Sequence, residues 1–277
     1  MKKQTLNVAG LSVNVFSLEE PGEDGDGDEE QQDGRQETKE KKKKPVAVMF
    51  LLHGRMSKAE HMEYVAKAFL DEVHQRRKAA AGAATPEGER EEVMDLWIVT
   101  FDHRNHGSRI VDGQANSAWS DNPSKRNDNH AIDMYAIQTG TAQDVSALID
   151  FLPWYLFPNE ERVVKEWIVS GISLGGHSTW IALKNDPRLK VGIPIIGCPD
   201  YLALIVPRAE ASSIPIEPPY FPKTFVEYVK THDPAGAGAA GAFWGKKILV
   251  VAGREDEVVP WAASERFVGE LDVGGRG

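Results

Sequence analysis

At 277 residues the chain is long enough for a single α/β domain, and a hydrophobic content of 41% with seven tryptophans supplies a large core. A formal net charge of -10 with no concentrated basic face excludes a nucleic-acid role, because binding phosphates demands clustered Lys and Arg. The single cysteine, Cys198, excludes an intrachain disulfide framework and reads as a buried small hydrophobe, and no run approaches the ~20 apolar residues of a membrane span. A cytoplasmic location is expected.

Met1 to Asn7 lead into an alternating strand rather than a signal-peptide core, and Leu6, Val8, Leu11, Val13, Val15 and Phe16, broken by Ala9-Gly10, predict an opening hairpin. Residues 19–44 then carry eleven carboxylates against six Lys and Arg, with no aliphatic or aromatic side chain. Such a stretch cannot bury itself, so it reads as a disordered, solvated insertion with an acidic stem and a basic end. The continuous apolar run Pro45 to Leu52 predicts a strand buried on both faces of a parallel sheet. A helix over about Lys58 to Lys78 follows, then a polar insertion up to Glu92, then a buried strand over Asp95 to Phe101.

Gly113 to His130 reads as a polar loop with Trp119 at the mouth of a site, and Thr141 to Leu152 has helical spacing in Val145, Leu148, Ile149 and Leu152. Glu166 to Ser170 is the next strand, and Val191 to Ile196 and Lys247 to Ala252 continue the alternation. Strand and helix in succession imply a mostly parallel, doubly wound sheet flanked by helices, with ligands at the carboxyl ends of its strands. Between the last two strands, residues 201–243 form a cap insertion whose prolines and aromatics suggest an irregular apolar lid ending in a low-complexity linker, Asp233 to Ala242. Trp261 to Leu271 completes the pattern as a helix.

The most informative residues are Gly171-Ile172-Ser173-Leu174-Gly175, between a buried strand and the helical run from Gly176. A serine leaving a strand and entering a helix through a sharp turn projects its hydroxyl from the strand tip, and glycine fills flanking positions that tolerate little bulk. Ser173 is therefore the candidate nucleophile.

With this Gly-x-Ser-x-Gly string, His53-Gly54-Arg55 after the first long buried strand, Asp102-His103-Arg104-Asn105-His106-Gly107-Ser108-Arg109 after the next, and Gly253-Arg254-Glu255-Asp256-Glu257-Val258-Val259-Pro260, the chain resembles the α/β-hydrolase fold superfamily over nearly its whole length. The resemblance implies one α/β-hydrolase domain over residues 1–277. In it Ser173 is the nucleophile and Asp256 the carboxylate that orients an imidazole, and backbone N–H groups near Arg55 and at Leu174 face a developing oxyanion. His53, His106 and His177 fall in supporting positions around the site, and His103 in a loop-stabilising one. Asn105 stands where the superfamily usually has glycine. Asp200 is the alternative acid and reads better as a helix cap. The implied activity is a serine hydrolase, esterase-like, acting on a small-molecule carboxylic ester or related acyl substrate through an acyl-enzyme, with no cofactor or metal. Oligopeptidase-like or thioesterase activity is the alternative within enzymes. A non-catalytic hydrolase-fold binding protein is the alternative outside them.

The resemblance also implies, beyond the acid, one more strand and a histidine in the order Ser, Asp, His. The residues after Asp256 hold no histidine. Three readings follow: a shortened sequence, a base recruited from His103, His106, His130 or His177, or a hydrolase-like protein that does not catalyse. Neither the substrate's identity nor the oligomeric state is legible in the residues.

Overall fold

The computed structural model describes residues 1–18, 44–82, 94–239 and 241–275. The acidic and basic insertion and most of the polar insertion before Glu92 lie outside them. Seven strands form one sheet in the order β1-β2-β4-β3-β5-β6-β7. Strands β1 (Lys2–Val8) and β2 (Leu11–Ser17) are the expected antiparallel hairpin, and β2 joins β4 (Asp95–Phe101) antiparallel. From β4 onward the pairing is parallel: β3 (Lys44–Leu52), β5 (Arg162–Ile172), β6 (Leu189–Ile195) and β7 (Lys247–Ile248). Helices α1 (Glu63–Gly82), α2 (His130–Leu156), α3 (Leu174–Asn185), α4 (Tyr201–Ala211), α5 (Lys223–His232) and α6 (Ala262–Glu270) complete the chain.

The run Pro45 to Leu52 is apolar without alternation because β3 is covered on both faces. Met49 and Leu51 pack with Met62, Ala66 and Leu70 beneath α1, whereas Val46, Val48, Phe50 and Leu52 face the larger cluster built with α2 and α3. Period two still operates, but each face meets a helix layer. Trp180, fully buried in α3, ties the sheet to the chain's last helix: its indole N–H donates to the Gly197 carbonyl at 3.2 Å, and its ring meets Phe243 and Phe267 edge-on.

Several boundaries differ from expectation for identifiable reasons. Helix α2 begins eleven residues before Thr141, at His130, and buries Ala131, Met134, Tyr135, Ile137 and Gln138. Its first turns pack against α3 and also against α4, where Tyr201 donates to the Ala131 carbonyl at 2.5 Å, so burial on more than one side hides the single apolar stripe. Helix α1 starts at Glu63 because Ala59–Met62 forms a 3-10 turn, and it runs past Lys78.

β7 shrinks from the expected Lys247 to Ala252 to two residues. Leu249 N–H still donates to the Gly192 carbonyl at 2.9 Å, Val251 N–H to the Pro194 carbonyl at 3.1 Å, and Ile196 N–H to the Val251 carbonyl at 2.7 Å. The missing rung is the one at Pro194, which has no N–H to give to Leu249. At this edge Leu249 and Val251 are exposed.

The cap is not irregular: it folds as α4 and α5, and α4 stays helical across Pro207. Trp119 does not stand at a mouth. It is buried, edge-on to His130 with ring centroids 4.8 Å apart, and near Phe221. Asp233 is no mere linker residue either, since it is buried and accepts from Tyr201 N–H at 2.7 Å, anchoring the start of α4. Among the described residues no helix is long and apolar enough to cross a membrane.

Candidate active site

Ser173 sits between β5 and α3 with φ 53° and ψ -111°, a conformation that a non-glycine residue adopts only when its surroundings impose it. The surroundings are backbone. A Cβ on Gly171 would fall 2.4 Å from the carbonyl carbon and oxygen of Gly175, one on Gly175 2.5 Å from the Leu52 carbonyl oxygen, and one on Gly176 2.6 Å from that of Ile195. The glycines thus let β3, β5, β6 and the first turn of α3 converge on one point. Ser173 N–H donates to Ile195 O at 2.8 Å and its own carbonyl accepts from His177 N–H at 2.9 Å, which closes the turn and frees the hydroxyl.

The loop after β3 lies directly opposite. A Cβ on Gly54 would come within 3.9 Å of Ser173 Cβ. Leu174 N–H, at the start of α3, and Arg55 N–H find no acceptor in the protein among the described residues. Two unclaimed donors beside a serine hydroxyl, one of them at the positive end of a helix, form an anion-stabilising corner.

His53 positions this loop. Its Nδ1–H donates to the Gly54 carbonyl at 2.8 Å and its Nε2 accepts from His103 N–H at 3.0 Å, so the ring is neutral with both nitrogens engaged; burial lowers its pKa to about 4. His103 stacks on it with centroids 3.8 Å apart and is fully buried, and that burial drives its pKa well below the usual histidine range. His106 Nδ1–H donates to the Arg104 carbonyl at 3.0 Å, and burial lowers its pKa also. These imidazoles support the loops and do not line the serine's cavity.

The segment after β4 is similarly tied down. Asp102 accepts from Ala59 N–H at 2.8 Å and from Ser108 N–H at 2.7 Å and Oγ–H at 2.8 Å; burial works against the carboxylate, yet these bonds hold its pKa below the ordinary value. Asn105 occupies the left-handed region at φ 57°, and its side-chain oxygen accepts from Val111 N–H and Asp112 N–H, each at 3.0 Å. Asparagine suits that position because its amide organises the following loop.

A cavity of about 230 Å³ opens at Ser173. Its walls include Gly54, Arg55, Leu174 and His177, together with Gln138 from α2, Tyr201 and Arg208 from α4, and Val258. The cap therefore closes over the serine with polar as well as apolar groups. Gln138, Tyr201 and Arg208 carry no sequence signal for this placement, because nothing in a helical register tells which turn of a helix faces a site.

His177 is the imidazole of this wall. Its Nδ1 lies 2.8 Å from Cys198 N and 3.1 Å from Cys198 O, so the Cys198 backbone engages that ring nitrogen, and burial lowers its pKa to about 4. Only Nε2 is left without a protein partner among the described residues, and the lowered pKa makes the ring a poor proton acceptor. Cys198 itself is buried with its thiol pKa raised to about 11 by burial, consistent with an inert packing role.

Asp256 does not line the cavity. Its Oδ1 accepts from Val258 N–H and Val259 N–H, each at 2.8 Å, and the resulting turn carries Val258 into the wall, where Arg208 donates to the Val258 carbonyl. Asp200 caps α4, accepting from Ala203 N–H at 2.9 Å. No hydrogen bond joins Ser173 Oγ or Asp256 to an imidazole among the described residues.

No family model matches the chain, and no curated protein matches it in sequence. Solved structures do match its shape. TT1662 from Thermus thermophilus superposes with a TM-score of 0.59 at 19% identity, covering 98% of this chain and 83% of that one. A 2,6-dihydroxy-pseudo-oxynicotine hydrolase matches with TM-score 0.53 at 16% identity, and a Pyrococcus horikoshii acylaminoacyl peptidase with 0.54 at 13%. The chain spans 57% and 37% of the lengths of those two proteins. The sheet order, the elbow and these neighbours define the chain as a protein of the α/β-hydrolase fold.

Proposed function

We propose that the protein is a serine hydrolase that cleaves a small carboxylic ester through an acyl-enzyme on Ser173. The observation that carries this reading is the strained serine at φ 53° facing the unclaimed N–H groups of Leu174 and Arg55. In this scheme Ser173 Oγ attacks the ester carbonyl, the carbonyl electron pair moves onto oxygen and is held by the two N–H groups, and its collapse expels the alcohol. Water then attacks the acyl-enzyme and releases the acid. The serine's proton passes to a base from solution and a proton returns to the departing alcohol, since no imidazole is hydrogen-bonded to Ser173 Oγ or Asp256 among the described residues. His177 does not fill the role, because the Cys198 backbone engages its Nδ1 and burial lowers its pKa to about 4.

The test is covalent labelling with a fluorophosphonate, with and without added imidazole as a diffusible base. The expected result is an adduct on Ser173, accelerated by imidazole and absent in Ser173→Ala. No adduct under either condition, where a control serine hydrolase labels, refutes the hydrolase reading. That outcome would favour the second reading, a hydrolase-fold protein that binds its ligand without turnover, whose supporting observation is the lack of any imidazole hydrogen-bonded to Ser173.

A further inference from the structure

Most arginines of the described residues are spent on carboxylates: Arg76 on Glu72, Arg77 and Arg162 on Asp95, Arg104 and Arg109 on Asp144, Arg126 on Asp128, Arg188 on Asp150 and Asp186, and Arg266 on Glu270. Two that are not, Arg55 and Arg208, line the same cavity as Ser173. In a chain of net charge -10 this is a selective arrangement. Burial disfavours the Arg208 charge and the neighbouring Arg55 charge adds to that effect, so two guanidiniums stand together with no ion-pair partner among the described residues. Asp256 favours the Arg208 charge from a distance but forms no ion pair with it: its Oδ1 stays within its own turn, and Arg208 donates to the Val258 carbonyl there. Gln138 adds a second sign of a missing ligand: it is 4% exposed, lines this cavity, and its side-chain amide has no hydrogen-bond partner among the described residues.

We propose that the cavity binds a short acyl ester bearing a free carboxylate, held by Arg55, Arg208 and Gln138 while its ester carbonyl lies at Ser173. The inference rests on the serine-hydrolase reading for the ester and on the unpaired arginines for the carboxylate. Guanidinium forks match the two coplanar oxygens of a carboxylate, and the amide of Gln138 supplies one further donor. The free N–H groups of Arg55 and Leu174 remain for the oxyanion, so the two tasks use different atoms. The cavity of about 230 Å³ suits a small diacid monoester rather than a long acyl chain.

The experiment measures binding, so that it is independent of turnover. Calorimetric titration of the full-length Ser173→Ala protein with monomethyl glutarate is compared with the neutral dimethyl ester and with inorganic phosphate. Expected are binding of the monoester, at least about tenfold tighter than of the dimethyl ester, weakening with added salt, and a further loss of about tenfold in each of Arg55→Gln and Arg208→Gln. Arg208→Lys, which keeps the charge beside Val258, retains part of the affinity and controls for damage to the Val258 contact. Equal binding of the dimethyl ester, tighter binding of phosphate, or unchanged affinity in Arg55→Gln overturns the proposal. Carboxylate-dependent binding without fluorophosphonate labelling would refute the hydrolase reading alone, and labelling without carboxylate preference would refute this inference alone.

Discussion

Gly175→Ala tests whether the elbow is set by backbone convergence. The new methyl would lie 2.5 Å from the Leu52 carbonyl oxygen, 2.7 Å from its carbon and 2.8 Å from the His53 carbonyl oxygen, all main-chain atoms of the end of β3. Ordinary contact begins near 3.4 Å, so the first turn of α3 must retreat by about 0.9 Å. Forcing a methyl into a packed site costs about 1–3 kcal/mol, offset by the roughly 1 kcal/mol that alanine gains over glycine in a helix. A net loss of up to about 2 kcal/mol is expected, read as a lower urea midpoint by tryptophan fluorescence. The same retreat carries Leu174 N–H away from Arg55 N–H, and a displacement near 1 Å costs about a hundredfold in rate, measured by fluorophosphonate labelling. Gly269→Ala in α6, where a methyl meets nothing within 4 Å, is the control and should be neutral or stabilising by up to about 1 kcal/mol. A Gly175→Ala protein with the parent's urea midpoint and labelling rate would refute the reasoning.

His130→Phe should flatten the acid side of the stability profile. Burial lowers the His130 pKa to about 4, so between pH 6.5 and 4 the unfolded chain binds a proton that the folded one does not, and stability falls with pH by up to about 3 kcal/mol from this group. Urea midpoints measured across that window should decline less steeply in the variant, and parallel profiles would contradict the assignment. Asp102→Ala strands Ala59 N–H and Ser108 N–H and should destabilise by about 2–4 kcal/mol at pH 7 in equilibrium unfolding; a change below about 0.5 kcal/mol would show that the segment after β4 does not depend on that carboxylate.

Strand signals were legible where one rule governs. The unbroken apolar run of β3 and the turn chemistry of the elbow depend on local geometry, so Pro45 to Leu52 and Gly171 to Gly175 announce themselves. Asp200 was legible as a cap for the same reason. The beginning of α2 was not, because Met134, Tyr135 and Gln138 are buried by different neighbours and the sum has no single period. The end of β7 was lost to one missing donor at Pro194 on the neighbouring strand, which the β7 residues themselves do not reveal.

The cavity divides in the same way. Ser173, Gly54, Arg55 and Leu174 could be named from the chain, since an elbow and an oxyanion loop are short motifs whose purpose lies in their own backbone. Only the tertiary structure decided that Gln138 and Arg208, 70 residues apart in sequence, meet at that serine. It alone decided that His177 spends its Nδ1 on the Cys198 backbone, that His53 and His106 hold loops through ring nitrogens, and that His103 stacks on His53. A motif records what its own backbone must do, whereas the partners of a side chain, and hence its charge and tautomer, are set by whatever distant segment the packing brings against it.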